Sequence, residues 1–309
     1  MTQQSPLQVR VVDPVLSQVA QGYRHTEMVG NTLFPHVTTH VSGGQVLEFG
    51  KESFRLYQAR RAPGSHTRRI QFGYLGRSFA LVQDALEGQV PREYLRDAAE
   101  VPGVKLDERA VNGAMRALSM TLEYDQAQLA TNASNYDNDH KVALSGTDKW
   151  SDGSAKPTDD IEAGKEAIRQ SVGIFPNTLL LSAQAFKAVK GNPNVVERFK
   201  YTSRESITAE MLASLWDLSR VVVGKAVAFH DAGEAIDIWG NNAILAYVPE
   251  KPSGMEDPSF GYTYVMADHP LVEKPYYDNA SKSWVYPVTF ERVPVLTGIL
   301  SGYLIQNPA

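Results

Sequence analysis

The chain has 309 residues, of which 43% are hydrophobic and 21% charged, with no cysteine and a formal net charge of −5. That composition fits a soluble globular protein with room for two domains or one elaborated domain. It excludes a disulfide framework, a thiolate metal site and a cysteine nucleophile, and its acidic balance argues against a dedicated duplex-DNA binder.

The N-terminus MTQQSPLQVRVVDP lacks the charged-then-apolar layout of a signal peptide, and no apolar run approaches the ~20 residues of a membrane span. Residues 1–41 read as a leading arm. Asp13 and Pro14 suit a helix start, with Val15, Leu16, Val19 and Ala20 as a short apolar face before Gly22. Asn31 to Val37 reads as extended and carries Leu33 and Phe34. An arm this apolar must bury itself in its own core or on a neighbouring chain, and the sequence leaves both open.

Residues 42–83 are the oddest part. Gly43-Gly44 opens a strand-like run through Val46, Leu47 and Phe49. Arg55, Arg60, Arg61, Arg68, Arg69 and Arg77 follow, with no acidic residue between Phe54 and Gln83 and a turn signal at Pro63-Gly64-Ser65. The pattern predicts a long β-hairpin with a basic tip, an element that is marginal alone in water. Its charge asks for an acidic or phosphate-bearing partner surface. Subunit contact is the leading reading, beside nucleic-acid contact and a plain solvated loop.

Residues 84–105, with Pro91 and Pro102-Gly103, read as a punctuated connection. From Asp107 to about Thr131, Val111, Met115, Leu118, Leu122 and Leu129 form a one-sided stripe that predicts a helix of ~37 Å. Gly113 weakens it by ~1 kcal/mol relative to alanine, and a close packing contact is the expected reason. Residues 132–157 are polar and turn-rich, with Trp150 as the re-entry into ordered structure. Asp137, Asp139 and His140 lack the glycine and distal glutamate of a calcium loop and the ligand number of a zinc site.

Asp159 can cap a helix with Glu162 at capping-box spacing, and Ile161, Ile168 and Val172 share its inner face. After Gly173, Thr178-Leu179-Leu180-Leu181 suits a central strand, and Ser182 caps a helix carrying Ala185, Phe186 and Val189. A helix from Ala209 to Leu218 and a strand through Val221-Val222-Val223 follow, then Ile236 to Trp239 and Ala243 to Val248. From Ser259 the chain is β-rich, with a hairpin around Asp278-Asn279-Ala280-Ser281 and a closing strand between Val293 and Ile305.

No nucleophile elbow, phosphate loop, dinucleotide fingerprint or zinc-protease motif is present, and the seven histidines lack ligand spacing. No catalytic residue, cofactor site or metal site is expected.

The order of parts resembles the major capsid proteins of tailed bacteriophages, the Hong Kong 97-like fold shared with lambda-type coats and encapsulin shells. The most family-like wording is Asn177-Thr178-Leu179-Leu180-Leu181-Ser182, Ile207-Thr208-Ala209-Glu210-Met211-Leu212, Val221-Val222-Val223-Gly224, Trp239 to Pro249, and Pro258-Ser259-Phe260-Gly261-Tyr262. The resemblance implies an α+β fold with an N-terminal arm at 1–41 and an extended E-loop hairpin at 42–83. It further implies a peripheral domain from 84–157 and 251–309, containing a spine helix at 107–131, and an axial domain at 158–250. The implied function is a coat subunit that self-assembles, through hexamers and pentamers, into an icosahedral head around phage DNA without reading its sequence. The six hairpin arginines are then subunit-contact candidates. A separate scaffolding protein, a portal and a decoration protein are the implied partners, with assembly in the host cytoplasm and residence in the virion. An encapsulin-like compartment, or a soluble α+β enzyme or ligand-binding protein, is the alternative.

Overall fold

The fold is a computed structural model that describes residues 12–25, 27–46, 59–64, 66–67, 77–99, 101, 103–200, 206–229, 233–250 and 259–309. In chain order its elements are α1 (Pro14–Gly22), β1 (His36–Thr39), β2 (Gly43–Val46), β3 (Arg77–Ala80), β4 (Val82–Pro91), α2 (Arg92–Ala99) and α3 (Leu106–Thr131). Next come β5 (Lys141–Ala143), α4 (Pro157–Val172), β6 (Thr178–Ser182), α5 (Ala183–Gly191), α6 (Pro193–Val196) and α7 (Ala209–Leu215). The remainder is strand: β7 (Arg220–Gly224), β8 (Val227–Phe229), β9 (Ala235–Asp237), β10 (Asn242–Ala246), β11 (Gly261–Met266), β12 (Leu271–Val272), β13 (Tyr276–Asp278), β14 (Ser283–Leu296) and β15 (Gly302–Gln306).

Two sheets organise these elements. The five-stranded sheet runs β5-β15-β10-β6-β7, with β6 antiparallel to β10 and parallel to β7. Both of its faces are covered, which is why β6 reads as an unbroken apolar run. Leu179 and Leu181 face the cluster built with α4, α5 and α7, while Leu180 faces Leu33, Phe34, Trp239 and Phe260. In the six-stranded sheet β1-β11-β14-β12, β14 also carries β4 and β13. α3 bridges the two: Val111, Met115 and Leu118 pack with Val288 and Phe290 of β14, whereas Ala127 and Ala130 join the core under β10 and β15. The five-stranded sheet therefore draws β5 and β15 from outside residues 158–250.

The arm question resolves inward for the described residues. Asp13 caps α1 by accepting from Val15 and Leu16 N–H at 3.0 Å each, and Leu16 and Ala20 pack against α3 and β12. Leu33 and Phe34 are fully buried, and β1 lies parallel to β11.

Four expectations change. Residues 84–105 hold β4 and α2 rather than a plain connection. Most of β4 is exposed, so it lacks the apolar alternation that marks a half-buried strand. α4 begins at Pro157 with Asp159 and Asp160 in its first turn, where they oppose the helix dipole, and Glu162 pairs with Lys165 at 2.9 Å instead of closing a capping box. Residues 132–157 are packed well before Trp150. Tyr136 is buried with its hydroxyl donating to the Ala130 carbonyl at 2.7 Å, and the buried Asn192 amide donates to the Trp150, Asp152 and Ala155 carbonyls. Gly113 also departs from expectation. A side chain there would meet open space, so no packing contact requires the glycine.

Candidate subunit-contact surfaces

The base of the basic segment is a short antiparallel ladder, β2 on β3, in the register Gly43↔Ala80 through Val46↔Arg77. Val46 and Phe79 are buried against Tyr262 and Tyr264 of β11, and the Phe79 and Tyr264 rings stack with centroids 4.5 Å apart. Gly44 lets the Phe79 ring lie close, since a Cβ there would sit 3.1 Å from Cε1. The base is thus fastened to the subunit's own sheet by apolar contact. Arg60 and Arg61 are exposed and precede the turn at Pro63 and Gly64, where Gly64 takes φ +84°. Arg77 opens β3, with its backbone opposite Val46. Arg55, Arg68, Arg69 and the side chain of Arg77 lie outside the described residues.

Two buried ionic groups that sequence reading passed over tie the parts together. Glu123, on the inner face of α3 and 1% exposed, accepts from Val29 N–H at 3.0 Å, Gly30 N–H at 2.7 Å and Trp239 Nε1 at 2.7 Å. It joins the N-terminal segment, α3 and the turn before β10 in one contact. Burial raises its pKa, opposed by these three donors and by nearby His25. Gly30 is required here, because a Cβ would fall 2.1 Å from Gln126 Oε1 and 2.8 Å from Glu123 Oε2. One turn on, Gln126 donates to Asn31 Oδ1 and Thr263 Oγ1, both at 2.9 Å, linking the same arm to β11.

The second group is Arg292 of β14, 2% exposed. It donates through Nη2 to Asp84 of β4 at 3.3 Å and to the Leu118 carbonyl of α3, with its guanidinium carbon 4.4 Å from the Phe290 ring centre. Burial lowers its pKa to about 10, against the opposing pull of Asp84 and Asp125. Both residues carry a readable signal. Glu123 and Gln126 lie beside the apolar stripe of α3, and Arg292 follows Val288 and Phe290 at strand period.

Among the described residues no group of three or more His, Asp or Glu is placed to hold a metal. His140 is buried, with Nδ1 2.6 Å from Asp137 Oδ1, and serves its local turn. A groove of about 600 Å³ between arm, α3 and the six-stranded sheet is lined by His25, His36, His269 and Glu123 among others. No described helix is long and apolar enough to cross a membrane. The arrangement offers fixed edges and a fastened extension, the equipment of an assembling subunit.

Comparison with known proteins points the same way. The family described as phage major capsid protein E matches residues 107–255. The chain is 35% identical over 303 residues to the major capsid protein of Burkholderia phage BcepMu, covering 97% of each chain. Its fold superposes on a phage-related protein from Bordetella bronchiseptica RB50 with a TM-score of 0.85 at 47% identity, covering 97% of this chain and 98% of that one. An encapsulin complex from Synechococcus elongatus matches with a TM-score of 0.54 at 13% identity, covering 96% of this chain and 95% of that one, a likeness of fold alone.

Proposed function

The chain belongs to the phage major capsid proteins, structural proteins of the virion with a Hong Kong 97-like fold, and from that membership we propose how it builds a shell. Copies associate as hexamers and pentamers of an icosahedral head that encloses genomic DNA without reading its sequence. Assembly takes place in the host cytoplasm on a separate scaffolding protein, with a portal and a decoration protein as further partners. The five-stranded sheet with α4 to α7, extended by β5 and β15, acts as the axial domain. The six-stranded sheet with α3 acts as the peripheral domain, and residues 42–83 act as the E-loop.

The observation that carries the contact role is the β2–β3 base. Val46 and Phe79 fasten it to the subunit's own core, so the arginine-bearing stretch beyond it starts from a fixed direction. Hairpin arginines set against a neighbour's carboxylates fix register and orientation, while apolar burial supplies most of the association energy.

Replacing Arg60, Arg61, Arg68 and Arg69 together by serine tests this. Particle yield by size-exclusion chromatography and negative-stain microscopy, with scaffold supplied, should collapse while the unassembled subunit keeps its circular dichroism. Normal particles from that variant would remove the hairpin from the mechanism.

A further inference from the structure

The chain enters α1 from the start of a ladder. Val12 forms an isolated antiparallel bridge with Glu273, and Asp13 N–H donates to the Val272 carbonyl at 2.9 Å. An antiparallel bridge at that point aims the residues before Val12 along the outer side of the chain that runs from β12 into β13. Among the described residues β13 pairs only with β14, so its other backbone edge carries no ladder. Such an edge is a template for a further strand. Tyr276 lies on it, 46% exposed.

The sequence upstream of Val12 fits that edge. Leu7, Val9 and Val11 alternate with Gln8 and Arg10, and the run is bounded by Pro6 on one side and Asp13-Pro14 on the other. Carried on in the register Val12↔Glu273, the run sets Val9, Gln8 and Leu7 opposite Tyr276, Tyr277 and Asp278. Pro6 then falls just past Asp278, where β13 ends and its turn begins. Pro275 offers no N–H and costs the ladder one bond at most. The same register puts Val9 beside Tyr276, a β-branched side chain against an aromatic one. It also sets Arg10 diagonal to Glu273, an attractive pair of opposite charges.

We propose that residues 7–11 add a strand to the β13 edge of their own subunit, a strap that closes the six-stranded sheet on that side. The strap holds the start of the arm on the copy it belongs to and denies the edge to any other chain. An unassembled subunit then meets its partners without an open ladder at β13. The strap is independent of the hairpin contact.

Hydrogen exchange of the unassembled full chain, read by mass spectrometry, tests it. Amides of residues 7–11 should exchange at least about tenfold more slowly than in a free chain. Val9→Asp should abolish that protection and lower that of residues 276–278, while β6 and β10 keep theirs. Because the chain has no cysteine, Val9→Cys with Tyr276→Cys can be oxidised in a mixture of ordinary and heavy-nitrogen-labelled subunits. Linked peptides of a single isotope are expected. Free-chain exchange at residues 7–11 overturns the strap. Protection without the link also overturns it, since the segment then lies on another surface. Links of mixed isotope overturn it as well, because they give the edge to a second copy.

Discussion

Glu123 is the joint on which the N-terminal segment, α3 and the turn before β10 meet, and its removal should loosen all three. Glu123→Met keeps most of the volume and deletes every acceptor, leaving three buried donors, Val29 N–H, Gly30 N–H and the Trp239 indole, without a partner. At ~1–3 kcal/mol for each orphaned donor the gross cost is about 3–9 kcal/mol. Relief of the carboxylate's own desolvation, the cause of its raised pKa, offsets part of this and leaves a net loss of about 3–5 kcal/mol. Trp239→Phe removes one donor and its charge-assisted bond, an expected loss of about 1.5–3 kcal/mol. In the Glu123→Met background the same tryptophan change should cost less by about that amount, since the indole N–H has already lost its acceptor. Urea unfolding of the unassembled subunit, followed by far-ultraviolet circular dichroism, gives the four stabilities of the cycle. Additivity within about 0.5 kcal/mol would refute the idea that this carboxylate couples the parts.

Two further outcomes follow from single positions. Gly113→Ala should stabilise the subunit by about 1 kcal/mol in the same assay, because the site is helical, solvent-facing and clear of neighbours. His36, exposed at the rim of the groove between arm, α3 and the six-stranded sheet with Nε2 2.9 Å from Asn31 Oδ1, has its pKa lowered to about 4, first by partial desolvation and then by Arg292 and Arg24. The unfolded chain thus takes up a proton that the folded one refuses, so His36's contribution is complete above pH ~6.5 and is lost as pH falls toward 4. Part of the ring meets solvent, so the sign is the prediction: His36→Gln should flatten the acid loss of stability. Glu123→Gln should steepen it, since a raised carboxylate pKa makes protonation favour the folded state.

Much of the architecture is legible because it depends on local pattern. The stripe of α3, the cap at Asp13, the run at β6 and the hairpin at Asp278 each state their structure within a few residues. β4 escapes such reading because its order comes from β14, some two hundred residues away, and its own residues are largely exposed. The packed turns of 132–157 escape it for a related reason. Their anchors are single buried groups rather than any periodicity: Tyr136 bonds the Ala130 carbonyl, and Trp150 is held through its backbone by the distant Pro308 and Asn192.

The polar joints show a sharper limit. A carboxylate on the inner side of a helix, or an arginine at an inward strand position, announces that something pairs with it. What pairs is decided by topology: Glu123 meets backbone from residue 30 and an indole from residue 239, and Arg292 meets Asp84 and Leu118. Those two groups also differ in completeness. Glu123 has a donor on each oxygen and closes a joint within the subunit, whereas Arg292 keeps one donor unspent at the wall of an open, acid-lined groove. The satisfied group fixes how the arm, α3 and the turn before β10 meet, and the unsatisfied one is a buried donor for which the described residues hold no acceptor.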